Sequence, residues 1–402
     1  MYRTRVLVFL ILLVLKICNE VDGGCTLSLQ KDLGDPSPVY LHNGGFLSPS
    51  NVSGAILLRR FETVRVACPG DKRFIVLGKN QTGFNFIDIK CVKDKTFRAV
   101  KFSWVGNFSE VTCNVVPWFA VEEAGSCFRG YRLYRVGYKI DNVFHTTYEA
   151  CFNKDLLHTA YVKHDLQLKT NVTQPGRRPQ FRVFSEGELF GKVKMSKAYS
   201  NQSNRIKEVF GDKKLEEYVN NKQFLSRGHL APRADFPLYS VQRTSFHYVN
   251  SAPQWMRGNA GDWAALEEAV RRRALRSEAK LEVYTGGVGV LALPDVSSTY
   301  KELYLGVDEN NNGIIPVPLY MFKTIYEPST KSAVVFLSIN SSHFNSTMTD
   351  KLTFCNDICD SKQYSWLRWR SSDGTHSFCC TYEEFIKKYN VMPKLNVERV
   401  FY

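Results

Sequence analysis

After its first two dozen residues, the 402-residue sequence has no apolar run approaching the ~18 residues that a membrane-spanning helix needs, so no membrane anchor is expected. It has no C-x-x-C pair, the spacing on which most structural zinc sites are built. It also lacks internal repeats and low-complexity tracts, and its length fits one large or two ordinary domains. Acidic residues are the scarce charge: 39 Asp and Glu face 53 Lys and Arg, a formal net charge of +14. That excess favours polyanionic partners such as nucleic acid, heparin-like glycans or anionic membrane, and it says nothing about fold.

What is present points to export. Arg3 and Arg5 precede an apolar run from Val6 to Leu15, too short to cross a bilayer and typical of a secretory signal peptide spanning residues 1–24. Of eleven cysteines, Cys18 leaves with that segment, and the ten that remain are an even number, as five disulfides require in an oxidising compartment. The rival use of Cys355, Cys359, Cys379 and Cys380 as a zinc site is disfavoured, because extracellular thiolates tend to oxidise. Seven Asn-x-Ser/Thr sequons (Asn51, Asn80, Asn107, Asn171, Asn201, Asn340, Asn345) fit a secreted glycoprotein.

Residues 25–120 read as a small disulfide-tied β module: short β-favouring runs such as TVRVAC and FNFIDIKCV alternate with turn residues. From 121 to 402 the texture becomes mixed α and β. Strands are expected at EVYTGGVGVL, IPVPLYMFKTIYE and SAVVFLSIN; helices are expected at IKEVFGDKKLEEYV, DWAALEEAVRRRALR and TYEEFIKKYN. In the middle helix Trp263, Leu266, Val270 and Ala274 form one apolar stripe. Residues 165–185 form a basic loop rich in helix breakers, with Gln174-Pro175-Gly176-Arg177-Arg178-Pro179 at its centre.

Two stretches carry chemistry: FLSRGHLAPRADF (224–236) and NSAPQWMRGNAGDWAALEE (250–268). Phosphodiester hydrolysis needs a base for water, a metal or cations for the charge on phosphorus, and relief for the leaving oxygen. An imidazole titrates near neutrality, so His229 can take the proton of water. A hard ion such as Mg²⁺ takes oxygen ligands, often only one or two of them from protein. Asn259 offers a carbonyl oxygen, and Glu267 a carboxylate eight residues on. On one continuous helix their backbones would stand about 12 Å apart. Asn259 is therefore the expected direct ligand, and Glu267 the residue that holds a metal-bound water.

The set Ser226-Arg227-Gly228-His229, Asn250, Gln254, Asn259, Trp263 and Glu267 resembles the DNA/RNA non-specific endonuclease family, whose site is the ββα-metal (His-Me finger) motif. The resemblance covers about residues 120–400, and the secreted, disulfide-rich form is similar to nucleases of arthropod saliva and gut. It implies an α+β nuclease domain behind the β module. It also implies that His229 is the general base, Asn259 the metal ligand, Glu267 the water holder and Arg227 a cation beside the phosphate. Asn250 and Gln254 would shape the site, Asn250 among the catalytic set and Gln254 on the substrate side. Arg182 and Arg257 are further candidate substrate contacts. Position 226 is Ser where many members of the family have Asp, and Gly258 and Arg257 stand just before the ligand, so the site is altered in detail.

The implied function is a secreted, Mg²⁺-dependent endonuclease, with Mn²⁺ as the alternative ion, that cuts DNA and RNA with little sequence preference and leaves 5′-phosphate ends. A second expectation is a secreted nucleic-acid-binding protein on a nuclease fold with little turnover. A third is a polyanion-binding protein that uses its N-terminal module on glycans. Arg271, Arg272, Arg273 and Arg276 invite a DNA-binding ridge, but consecutive helical residues turn about 100° each, so a solvated face partly paired with Glu267 and Glu268 is the equal alternative. His164 and His247, with no neighbour at metal-ligand spacing, are read as structural.

Overall fold

The computed structural model describes residues 23–128, 130–176, 184–277, 279–370 and 375–402. Residues 1–22 of the expected signal peptide, the arginines at 177 and 178, and Arg182 lie outside the described residues.

The chain from Cys25 to Cys113 folds into three small antiparallel sheets of six, three and two strands. The alternating burial of Phe86–Lys93 shows the period expected of strands with one face covered. Two disulfides, Cys25–Cys91 and Cys68–Cys113, tie these sheets together. The other three bridges are Cys127–Cys151, Cys355–Cys380 and Cys359–Cys379, so all four candidate zinc cysteines are consumed as disulfides.

From Ala120 onward the chain builds a nine-stranded sheet. Its first four strands (Ala120–Phe128, Tyr131–Ile140, Val143–Asn153, His158–Leu166) form a meander, with no helix between them. Next in the sheet come Leu281–Val290, Pro318–Glu327, Ser332–Ile339 and Ser377–Cys380, with Arg399–Val400 pairing off Ser332–Ile339. The three expected strands are thus present, and IPVPLYMFKTIYE divides into two, Gly313–Pro316 and Pro318–Glu327. Ser332–Ile339 is buried at every position, as its unbroken apolar sequence requires of a strand covered on both faces.

One face of the sheet packs against the N-terminal sheets and the segment between Leu166 and Leu281; the other packs against the C-terminal segment with Phe354, Tyr382 and Phe385. Between the N-terminal sheets and the large sheet, Arg65 pairs with Asp141, Phe46 meets Tyr138 edge-on, and Gln174 Nε2 donates to Ser37 Oγ.

IKEVFGDKKLEEYV forms two helices, Gln202–Phe210 and Asp212–Tyr218. The break is Gly211, whose φ of 91° is a left-handed conformation that glycine adopts without strain. The helix Ala264–Arg276 buries the predicted stripe of Trp263, Leu266, Val270 and Ala274. Of the sequons, Asn340 is 3% exposed, and its amide bonds Pro253 O, Pro318 O and Trp255 N–H. That site cannot carry a glycan without unfolding the hairpin it clamps, whereas the other six sequon asparagines are all exposed.

Candidate active site

Both chemistry-bearing stretches lie in the 114-residue excursion between the fourth and fifth strands of the large sheet, residues 167–280. Leu225–His229 pairs antiparallel with Ser251–Trp255, and the chain then runs through a short turn at Met256–Gly258 into the helix Ala264–Arg276. The two strands and the helix hold Arg227, His229, Gln254 and Glu267; Asn250 ends the turn before the second strand, and Arg257 and Asn259 lie in the segment that joins that strand to the helix.

The period of two along Leu225–His229 puts Arg227 and His229 on one face of the hairpin. They flank Phe184, whose ring centroid is 5.0 Å from that of His229; the Arg227 guanidinium lies 5.8 Å from the same ring. Arg227 is held further by Tyr248, whose hydroxyl accepts from Nε at 2.9 Å, and by the ring of Tyr199 at 5.0 Å. These contacts fix the guanidinium plane and leave it half-buried. His229 also meets Phe246 edge-on at 4.9 Å, and its Nε2 is buried without a hydrogen-bond partner. Burial, and then the charge of Arg233, push its pKa down to about 4, so the ring is neutral and able to accept a proton at neutral pH.

On the other face, Ser226 Oγ donates to Gln254 O at 2.8 Å and accepts from Asn259 Nδ2 at 3.0 Å. Tying the amide nitrogen in this way orients Asn259, and its Oδ1 has no hydrogen bond among the described residues. The serine that replaces the more usual aspartate thus still anchors the asparagine, through a neutral hydrogen bond. Gly228 lies under Gln254: a Cβ there would come 2.4 Å from Gln254 Oε1 and 2.9 Å from its Cβ. Gly228→Ala is expected to cost about 1–3 kcal/mol through overpacking and to displace the His229 turn. Thermal melting and cleavage rate, measured together, check this.

Asn250 and Gln254 both lie inside the hairpin. Asn250 is fully buried; its Nδ2 donates to Ala231 O and Ser245 O, and its Oδ1 accepts from Ala231 N. Those bonds close the loop that leaves His229. Gln254 is 1% exposed and packs inward over Gly228, away from any substrate surface. Arg257, by contrast, is exposed where the hairpin enters the helix, with its backbone N–H on Gln223 Oε1.

The helix between Asn259 and Glu267 is not continuous, because Gly261 has non-helical angles and kinks it. The spacing expected from a regular helix therefore does not describe the two residues. Glu267 is half-buried, and its pKa is raised by burial and by Asp235, against the opposing charges of Lys323 and Arg271. Asp235 Oδ2 lies 2.8 Å from His164 Nε2, and its Oδ1 accepts from Arg271 Nη1 at 3.2 Å. Burial works to raise this carboxyl's pKa, but the His164 bond and the charges of Arg271 and Lys323 hold it below its usual value.

No signal in the sequence marked Tyr248, Phe184, Asp235 or Lys323. Arg271, grouped with a solvated face, turns inward to Asp235. Arg272 pairs with Glu268, and Arg273 bonds the carbonyl of Tyr402, so these three arginines point to different partners and form no ridge.

The described residues offer oxygen donors without thiolates, since every described cysteine is in a disulfide, and the Oδ1 of Asn259 suits a hard divalent ion.

The chain is similar to a salivary endonuclease of Lutzomyia longipalpis, with 28% identity over 401 residues covering 95% of this chain and 90% of that protein. Salivary protein Tsal2A of Glossina morsitans morsitans is 22% identical over 393 residues, covering 96% of each chain. A salivary endonuclease of Culex quinquefasciatus is 22% identical, covering 67% of this chain and 68% of that protein. Among solved structures, the crystal structure of the EndoG/EndoGI complex matches at 19% identity with a TM-score of 0.34, over 51% of this chain and 76% of that one. The profile of the DNA/RNA non-specific endonuclease family matches residues 130–385, which span the whole hairpin, kinked turn and helix just described. The chain belongs to the DNA/RNA non-specific endonuclease family.

Proposed function

We propose that this protein is a secreted endonuclease that hydrolyses DNA and RNA with Mg²⁺ and leaves 5′-phosphate ends. The observation that carries this is the hairpin geometry: a neutral, aromatic-walled His229 and a fixed Arg227 on one face, and an Asn259 carbonyl oxygen left free by Ser226. Five disulfides and relatives named as salivary proteins support secretion.

In this reading Asn259 Oδ1 holds the ion and Glu267 orders water beside it. A bound divalent ion supplies positive charge for the phosphate oxygens and the leaving oxygen. His229 takes the proton of the attacking water, and its low basicity keeps it unprotonated down to mildly acidic pH. Arg227, held by Tyr248 and stacked among aromatic rings, keeps a guanidinium at fixed orientation to meet a phosphate oxygen. Arg257 and the overall +14 charge draw the polyanion in, without reading bases.

Two properties of the cleavage reaction test this. Fragments from DNA and RNA should be religatable without phosphorylation and show no consensus at the cut. The apparent affinity should fall steeply as salt rises, with log K linear in log salt. Fragments with 5′-hydroxyl ends, or an affinity indifferent to salt, would reject it.

A further inference from the structure

Of the six tryptophans, all among the described residues, Trp118 alone is exposed, at 54%. It lies just before the first strand of the large sheet, outside the residues that the family profile matches. Large aromatic side chains usually bury their apolar surface, so one that stays open while being held rigid points to a ligand.

Two segments, residues 68–74 and 113–119, hold the indole, and the Cys68–Cys113 disulfide joins their first residues. The Trp118 backbone N–H donates to Pro69 O at 2.8 Å. Asn114 Oδ1 accepts from the Phe74 N–H at 2.9 Å, and its Nδ2 donates to Lys72 O at 3.1 Å. Gly70, with a φ of 118°, lies against both Trp118 and Arg73. A Cβ there would come 2.8 Å from Arg73 Cδ and 2.9 Å from Trp118 Cβ, so glycine lets both side chains close over it. The Arg73 guanidinium lies 5.8 Å from the indole centroid, while its Nε and Nη1 donate to Val116 O at 2.8 Å and Asp71 O at 2.9 Å. Both acceptors are neutral carbonyls, so the guanidinium is fixed in place without a carboxylate partner among the described residues.

This pair adjoins the hairpin. The ring of Phe119 is parallel to that of Trp118, with centroids 6.1 Å apart, and it meets His247 edge-on at 6.0 Å. His247 directly precedes Tyr248, whose hydroxyl holds Arg227. A flat π face beside a fixed cation suits a nucleobase and its phosphate, and a base is open to such a face when it is unpaired. We propose that Trp118 and Arg73 form a subsite that stacks an unpaired base of single-stranded nucleic acid and contacts its phosphate. This rests on the nucleic-acid reading above and adds a single-strand contact to it. A sulfated glycan would satisfy the same cation, but continuity through Phe119 and His247 with the residue that holds Arg227 favours the strand that the hairpin cuts.

The test uses the full secreted chain as wild type, Trp118→Ala, Trp118→Phe and Arg73→Gln. Binding of an oligothymidylate, a blunt DNA duplex of the same length and heparin is measured in EDTA over a range of salt. Trp118→Ala should bind the oligothymidylate about tenfold more weakly at every salt concentration, because stacking is not ionic, and should bind the duplex as wild type does. Trp118→Phe should keep most of the affinity, since a ring remains. Arg73→Gln should reduce the slope of log K against log salt by about 0.7, the single-strand value for one phosphate contact. With Mg²⁺, the Trp118→Ala defect on the oligothymidylate should appear in KM and not in kcat. Single-strand affinity equal to wild type, or an equal loss on single strand and duplex, overturns the proposal. So does a loss confined to heparin, which would assign the surface to a glycan. A wild type that binds without cutting sinks the nuclease reading, whereas the selective single-strand loss would still support the subsite. Should Trp118→Ala fail to fold, Trp118→Leu, which keeps apolar bulk without a π face, should show the same selective loss, and full affinity there overturns the proposal.

Discussion

Replacing His229 by alanine is expected to slow cleavage of DNA and RNA by about 10²–10⁴-fold, the range that a positioned general base contributes, while nucleic-acid binding persists. The two effects separate because they reside in different groups. On the proposed account affinity comes from cations that meet phosphates, such as Arg227 and Arg257, and neither is held by His229. The proton, in contrast, has one destination on this face of the hairpin. The ring sits between Phe184 and Phe246, and burial keeps it neutral. Asp235, in the turn that follows His229, is buried and taken by His164 and Arg271. Alanine leaves a small cavity between the two phenylalanines, so melting must be recorded beside rate. A variant that melts near the wild-type temperature, binds, and still cleaves within tenfold of wild type would show that another group takes the proton.

Stability is expected to fall steeply between about pH 6.5 and pH 4. His158, His229 and His247 each have a pKa pushed down to about 4, in every case chiefly by burial. Their unfolded values lie near 6.5, so the unfolded chain binds more protons than the folded one throughout that window. A depressed folded pKa gives stability that is present above the unfolded value and is lost as pH falls through the folded one. With three such groups, unfolding near pH 5 should take up close to three protons from these sites, and several kcal/mol should be lost on the order that linkage sets. Glu267 runs the other way, since its raised pKa makes protonation less costly to the folded state. Melting temperature against pH, with proton uptake measured by calorimetry in buffers of different ionisation enthalpy, checks the sum. A melting temperature unchanged between pH 7 and pH 4.5 would show that the imidazoles titrate normally in the folded protein.

The hairpin and helix of the site were legible because their signals are local. Ser-Arg-Gly-His, the asparagine series and the apolar stripe from Trp263 to Ala274 lie within 49 residues, and strand pairing only has to bring two neighbouring stretches together. The central strands were legible because burial on both faces favours mostly apolar, β-branched and aromatic runs. The kink at Gly261 was not legible, since one glycine in a helical pattern marks no particular angle. Nor were the inward roles of Asn250 and Gln254. A buried and an exposed amide look alike in sequence, and only the partners, Ala231, Ser245 and Gly228, decide which it is. The charge network beneath the helix is the least local feature. His164 and Arg271 meet Asp235 from 71 and 36 residues away, and Lys323 reaches the same place from a different strand. An arginine in a run of arginines then reads as surface, although Arg271 is not.

The central claim is that the hairpin is a working metal-dependent nuclease site and not a retained binding surface. Its most direct test is cleavage of plasmid DNA and double-stranded RNA by the purified mature protein, with Mg²⁺ and with EDTA, with filter binding run on the same samples. The account predicts that both substrates are cut with Mg²⁺, that EDTA stops cleavage, and that binding survives EDTA at low salt. Tight binding to both substrates without metal-dependent cleavage would contradict it and leave a nucleic-acid-binding protein on a nuclease fold.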